Sequence, residues 1–404
     1  MKPDVNVVGG GMITHDQILP SLYHLQRREV IGEIAVVAQH ARTVNKLKEA
    51  EIFQSAFPGQ SFRAYPEAGD EPQPELYREI IARMRPGGIV VAAVPDQLHF
   101  PVVMHALEHG QHVCCVKPLV LSARESITIE QEAYERGLVV GVEYHKRFDD
   151  RSLIARRRYR SGMFGEFRLG TACLMEKWYY RHSNFQNWCT VENSDAFSYI
   201  GCHYVDLVHF ITGLLPVSVS VHGIKDRYPN GNEGFLWTDA RVIWNNGACL
   251  NVQNSLSFPD EAPGTNTQGL TMYSSGNGKG AWLRHDDQYR GMQYCYTERP
   301  SGAGATTYAE PSPDYFQYVD VGGKGLVPVG YGYRSIEFIV RACLRVEAEG
   351  SLKSKQRVLK ELDNEGVLAT PANSRYNELV MEAGRLSILN RAREAVIEYG
   401  PPPS

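Results

Sequence analysis

Residues 5–22 read VNVVGGGMITHDQILPSL, and the fold turns on how they are read. Val5 to Gly9 form a short apolar run, three glycines follow, and the spacing predicts a helix from Thr14 to about Arg27. Pro20 should bend that helix or delay its start, because proline lacks the N–H that a helix interior needs. Strand, glycine turn and helix in this order can hold a dinucleotide. Gly9 allows the tight turn, and Gly11 lets the backbone approach a pyrophosphate at the helix N-terminus, with Met12 and Ile13 completing the turn. The third position of G-x-G-x-x-G is Thr14, so the fingerprint is incomplete. A glycine turn with no ligand stays open on these residues alone.

The sequence downstream favours the ligand. Apolar runs at 33–39, "GIVVAAVP", "HVCCV" and "LVVGVEY" alternate with helical stretches up to about residue 143, including one that Ser122 and Glu125 should open as a capping box. The runs are continuous rather than alternating, so both faces must be covered, as in a parallel sheet between helices. Beyond 143 the rhythm changes to a basic helix, an aromatic-rich segment at 174–190, and strands such as "VSVSVHG", "WTDARVIW" and "ACLNVQNSLSF". Asn246-Gly247 reads as a tight hairpin turn between two of them. Helices close the chain at 334–348 and 374–396.

Length and composition set the frame. The chain has 404 residues, long enough for two domains. We expect domains at 1–143 and 144–404, with the terminal helix able to pack back on the first. The 42 basic and 46 acidic residues give a net charge of -4, which offers no nucleic-acid or membrane surface. No apolar run is long enough to span a bilayer, and the N-terminus enters the first strand directly, so a cytoplasmic protein without a signal peptide is expected. Eight cysteines, two of them adjacent at Cys114 and Cys115, read as small buried hydrophobes in a reducing compartment. No CxxC pair and no H-E-x-x-H or similar spacing suggests a required metal.

Three further stretches carry a resemblance. "VPDQLHF" (94–100) resembles a T-P-N-x-x-H turn, "CVKPLVL" (115–121) an E-K-P segment, and "YIGCHYVDLVHFITG" (199–213) a D-x-G-x-H-x-x-D stretch. Together with the glycine loop, in this order, they resemble the Gfo/Idh/MocA oxidoreductases, the family of glucose–fructose oxidoreductase and inositol dehydrogenase. The resemblance implies an α/β protein, with an N-terminal Rossmann domain and a C-terminal α/β domain on a large, predominantly antiparallel sheet. It implies NAD or NADP as cofactor and a carbohydrate or polyol as substrate. It also implies a dimer or tetramer formed through that sheet. Pro95 and His99 would lie beside the cofactor. Lys117 would be the catalytic lysine and His203 the acid/base. Val116 and Tyr199 stand where the family has acidic residues, and Tyr199 becomes a candidate donor.

The chemistry fits those residue types. Oxidising an alcohol needs a base for the hydroxyl proton as hydride leaves carbon, and a histidine exchanges protons near neutrality. A lysine can stabilise the charge that develops on the oxygen. Gln39 and Arg42 follow the second strand, where an NAD-preferring domain has an acid, so Arg42 could meet a 2′-phosphate or simply face solvent. His145 and Arg147 after the last Rossmann strand, Trp178 in the aromatic segment, and Asp195 are candidate substrate contacts. Each could equally be interface or core. The leading function is hydride transfer between a nicotinamide cofactor and a hydroxyl or carbonyl of a sugar, glycoside or cyclic polyol. A redox-assisted glycoside lyase or hydrolase with retained NAD, and a non-catalytic dinucleotide-binding regulator, remain alternatives.

Overall fold

The computed structural model describes residues 2–262, 264–286, 294–297, 306–309 and 314–400. The chain divides into two compact units, Met1–Phe148 with Tyr315–Glu378 and Asp149–Asp314 with Leu379–Ser404. A single change of rhythm near residue 143 does not express that discontinuous division.

The first unit opens with β1 (Val5–Val8), a π-helical turn (Thr14–Ile18) and α1 (Leu19–Arg27). Pro20 is the second residue of α1, directly after the π-helical turn, and the helical run from Met12 to Arg27 continues through it. Then follow β2 (Ile34–Val37), α2 (Ala41–Lys48), α3 (Glu51–Ala56), β3 (Arg63–Tyr65), α4 (Leu76–Ala82), β4 (Ile89–Ala92), α5 (His99–Glu108), β5 (His112–Val116), α6 (Ala123–Arg136) and β6 (Val140–Glu143). The six strands are all parallel, in the order β3-β2-β1-β4-β5-β6. This is the doubly wound order in which ligands bind beyond the carboxyl ends of the strands. Ser122 does take the N-cap position of α6, but its side chain makes no capping hydrogen bond. The main chain closes the first turn instead, Ser126 N–H donating to Ser122 O at 3.1 Å, so the expected capping box is not formed.

In the second unit α7 (Asp150–Arg160), β7 (Phe167–Lys177), α8 (Phe185–Trp188), a π-helical turn (Phe197–Gly201) and α9 (Cys202–Thr212) precede the long strands. These are β8 (Pro216–Arg227), β9 (Glu233–Trp244), β10 (Cys249–Phe258), β11 (Asn266–Ser274) and β12 (Ala281–Asp286). β13 (Tyr294–Thr297) pairs antiparallel with β14 (Thr306–Ala309). The main sheet runs β12-β11-β7-β10-β9-β8-β17, where β17 is Ala395–Val396 near the end of the chain, and only β7 and β10 are parallel. Gly247, at φ +80°, makes the expected turn between β9 and β10. One sheet face is apolar and buried, including Leu174, Val221, Val242, Val252 and Leu270.

The return segment adds β15 (Gln317–Val319), β16 (Val327–Val329), α10 (Tyr331–Glu347) and α11 (Leu352–Glu365) to the first unit, and α12 (Pro371–Leu389) carries the chain out of it. Ile336, Ile339, Cys343 and Val346 of α10 join the cluster of Val5, Val7, Ile89 and Leu22 that forms the core of the first unit.

That core encloses a titrating group. His24 on α1 is buried, accepts a hydrogen bond from Arg27 Nη2 at Nδ1 (2.8 Å), and meets Tyr333 edge-on at 5.3 Å. Burial, with Arg27 and Arg28 beside it, pushes its pKa down from 6.5 to about 4. The folded value lies below the unfolded one, so on acidification the unfolded chain takes up this proton first. Stability is therefore full above pH 6.5, falls from there to about pH 4, and then levels off. Urea unfolding at pH 7 and pH 5 should differ by about 2 kcal/mol from this group. His24→Gln, which keeps an acceptor for Arg27, should shrink that difference. Burial pushes buried His112 the same way, so part of the acid sensitivity should remain.

Candidate active site

The candidates of the first unit lie at the carboxyl edge of its parallel sheet. Gly9 leaves β1 at φ +112°, and a Cβ there would come 2.0 Å from the carbonyl oxygen of Ala93 on the neighbouring chain segment. A Cβ on Gly11 would meet nothing within 4 Å, so the turn is cramped behind and open in front. Thr14 Oγ1 donates to Gly9 O at 2.8 Å and ties the glycine turn to the helix, which explains a threonine at the third fingerprint position. Met12 is exposed and Ile13 half-buried. Open space at Gly11, at the start of a helix, suits the pyrophosphate of NAD or NADP, which would supply the hydride acceptor or donor when bound.

Arg42 is exposed in the first turn of α2, and Gln39, just before that helix, is exposed as well. Pro95 begins the turn after β4. His99 was expected to touch the cofactor. It is instead fully enclosed, with Nδ1 2.8 Å from Pro118 O and Nε2 2.9 Å from Val94 O. It brackets the loop after β4 to the loop after β5, which is the loop that presents Lys117. Lys117 itself is half-buried, directly beyond the last residue of β5.

Strand register answers what Val116 leaves out. Val116 pairs with Glu143 on β6, and opposite residues in a parallel pair share a face. Glu143 is 2% exposed. It accepts hydrogen bonds from Gln17 Nε2 (2.7 Å) and Ser335 Oγ (2.6 Å), while its other oxygen lies 3.1 Å from His145 Nδ1. Tyr315 Oη donates to Gln17 Oε1 at 2.6 Å, and the His145 ring stacks on Tyr331. A buried carboxylate that holds an imidazole by one nitrogen orients that ring. The sequence reading noticed His145 and missed Glu143, although the residue ends a strand and stands two positions before it. Arg147 was read as a substrate contact. Its side chain is buried and donates to Tyr376 Oη at 3.1 Å, a packing role within this unit.

The candidates of the second unit lie on α9 and the turn before it. His203 is buried in the first turn of α9, with Asp206 one turn on, also buried. The Tyr199 ring meets Phe185 edge-on at 4.7 Å and Trp188 at 5.5 Å, so the aromatic segment positions it. Asp195 gives way from substrate contact to helix start. It is fully buried and accepts from Ser198 N–H (2.8 Å) and Ser198 Oγ (3.0 Å), with Arg385 Nη1 3.5 Å away. Burial raises its pKa despite those donors. Trp178 is partly exposed, but the guanidinium of Arg181 lies 4.1 Å from its ring centre and is in turn paired to Asp226 at 2.8 Å.

Comparison with known proteins bears on the family and the fold. Residues 4–144 match the family described as GFO_IDH_MocA, oxidoreductase family, NAD-binding Rossmann fold. An inositol 2-dehydrogenase of Corynebacterium glutamicum is 27% identical over 197 residues, 48% of this chain and 56% of that protein. A D-glucoside 3-dehydrogenase of Escherichia coli is 23% identical over 227 residues, 55% of this chain and 57% of its own. The chain thus spans a little over half the length of these relatives. The crystal structure of myo-inositol 2-dehydrogenase from Lactobacillus plantarum superposes with a TM-score of 0.65 at 12% identity, over 98% of this chain and all of that one, a likeness of fold alone. No described helix is long and apolar enough to cross a membrane. Motif order, sheet order and this match together make residues 4–144 a Rossmann domain of the Gfo/Idh/MocA oxidoreductase family.

Proposed function

We propose that the protein transfers a hydride between NAD or NADP and a hydroxyl or carbonyl of a sugar, glycoside or cyclic polyol. The observation that carries this reading is the glycine turn, open at Gly11, on the same carboxyl sheet edge as Lys117. The relatives named as inositol and D-glucoside dehydrogenases support the substrate class. In this reading Lys117 donates to the reacting oxygen and stabilises its charge, and His203 takes or returns the hydroxyl proton. His145, held by Glu143, orients a substrate hydroxyl, and Arg42 faces a 2′-phosphate when NADP is used. A panel of sugars and cyclic polyols with each cofactor, followed by nicotinamide absorbance and product mass, tests it. Stoichiometric oxidation of one class supports the reading. Cofactor cycling with bond cleavage and no net oxidation would favour the lyase alternative, and binding without turnover would favour a regulator.

We also propose self-association through the open face of the second unit's sheet. Trp282 pairs across strands with Tyr273, and Tyr273 with Leu169. These three side chains are 60%, 51% and 49% exposed, a continuous apolar row at one edge of the sheet. Such a row suits a second copy of the same face. Light scattering should find a dimer or tetramer at micromolar concentration. Trp282→Glu with Tyr273→Glu should shift it to monomer without changing cofactor affinity, and a monomeric wild type would reject the proposal.

A further inference from the structure

The last turn of α5 carries a group that the proposed reaction does not use. His105, Glu108 and His109 bring one ligand atom each to within 4.8 Å of one another. The spacing H-x-x-E-H sets the two histidines one helical turn apart on a single face, with the glutamate beside them.

The ring nitrogens are already sorted. His105 Nε2 lies 3.0 Å from the carbonyl oxygen of Arg78 on α4, and His109 Nδ1 lies 2.8 Å from the carbonyl oxygen of His105. A carbonyl only accepts, so in the neutral imidazole each of these nitrogens carries the N–H. The other nitrogen of each ring, Nδ1 of His105 and Nε2 of His109, then holds a lone pair. A ring that donates one N–H to the main chain and offers the other nitrogen is the arrangement by which proteins orient metal-binding histidines. The two ring centres are 4.2 Å apart. His105 Nδ1 is 3.7 Å from Glu108 Oε2, against about 3.3 Å between neighbouring ligands of a tetrahedral zinc ion. Glu108 is exposed and can close that gap by rotation.

The surroundings favour a cation. The site lies at the carbonyl end of α5, where the helix carries partial negative charge. The facing cations are engaged elsewhere: Arg78 with Glu75, Arg136 with Glu132, and Lys355 with Glu347. Glu108 and His109 also border a surface hollow with Gly110, Arg136 and Glu347, so water can complete the coordination.

We propose that His105, Glu108 and His109 form a binding site for a divalent transition-metal ion of the zinc class. Two imidazole nitrogens and one carboxylate oxygen suit zinc, cobalt, nickel or copper better than magnesium or calcium, which prefer oxygen alone. Three protein ligands with an open position make the ion exchangeable rather than a permanent part of the fold.

Titrating Zn2+ by calorimetry into the full chain, first treated with chelator, should give one saturable site. His109→Gln should weaken it by more than the roughly tenfold that loss of an outer-shell partner costs, and Glu108→Gln should weaken it less. With Cu2+, electron paramagnetic resonance should report two imidazole nitrogens in the wild type and one in His109→Gln. Because His105 packs edge-on against Tyr77, the conclusion rests on the Glu108 and His109 variants, whose circular dichroism should match the wild type. No saturable zinc uptake by the wild type, or equal uptake and an unchanged copper spectrum in His109→Gln, would overturn the proposal.

Discussion

Gly9→Ala should unfold the first unit, whereas Gly11→Val, two residues on, should leave it folded and remove dinucleotide binding. At Gly9 the added Cβ would lie 2.0 Å from one main-chain atom, Ala93 O, and 2.6 Å from another, Ala93 C, and the backbone sits at φ +112°. Neither atom belongs to a side chain that could turn away. Relief requires β1 and the segment after β4 to part, although β1 and β4 are hydrogen-bonded neighbours at the centre of the sheet. A cost of about 4 kcal/mol or more is expected, a large share of the stability of such a domain. Insoluble expression, or a thermal midpoint lowered by more than ten degrees, would agree with it. Gly11 has nothing within 4 Å of its Cβ, so valine costs the apo fold little. Its branched side chain would occupy the space proposed for the pyrophosphate. Fluorescence titration should find dinucleotide affinity lost in a protein with a wild-type melting curve. Wild-type affinity in Gly11→Val would move the cofactor away from this turn.

Lys117→Met and His203→Asn should each abolish most turnover and separate by what else they change. If Lys117 donates to the reacting oxygen, its removal should lower kcat by about 100- to 1000-fold. Cofactor affinity should weaken as well, because Lys117 follows β5 on the same sheet edge as the glycine turn. If His203 takes the proton, His203→Asn should lower kcat by a similar factor while leaving cofactor affinity unchanged, and the wild-type dependence on pH should flatten. His203 is buried, so its variant needs a melting curve beside the kinetics. Pre-steady-state hydride transfer at the wild-type rate in His203→Asn would pass the acid/base role to Tyr199.

Much of the first unit was legible because parallel strands buried on both faces leave continuous apolar runs. Five of the six strands of its parallel sheet have that signature. The sixth, β3, has three residues and pairs only with β2, so Arg63 and Tyr65 stay outside the core and no run marks it. Helical spacing at 334–348 predicted a helix with a buried face, but no periodicity says which core that face joins. Ile336 and Ile339 meet Val5 and Val7 across more than three hundred residues of chain. In the site, the glycine turn and the loop after β5 were legible as local patterns. The pairing of Glu143 with Val116 was not, since it depends on strand register. Asp195 could have been read better: an aspartate three residues before a serine, ahead of an apolar helix, is a helix-start pattern. The metal-ligand spacing was also within reach. H-x-x-E-H at 105–109 places its histidines at the same helical interval as H-E-x-x-H.

The two π-helical turns, Thr14–Ile18 and Phe197–Gly201, bear on how such a protein can change over generations. A π turn closes i→i+5 hydrogen bonds and so holds one residue more than an α-helical turn. Each residue turns an α-helix by about 100°. Losing one residue from 197–201 would therefore rotate the segment before it against everything from His203 onward, without exchanging any side chain of α9. The same holds for Thr14–Ile18 and the glycine turn before it. Gaining or losing one residue at either place is thus a way to re-aim the candidate residues without substituting any of them.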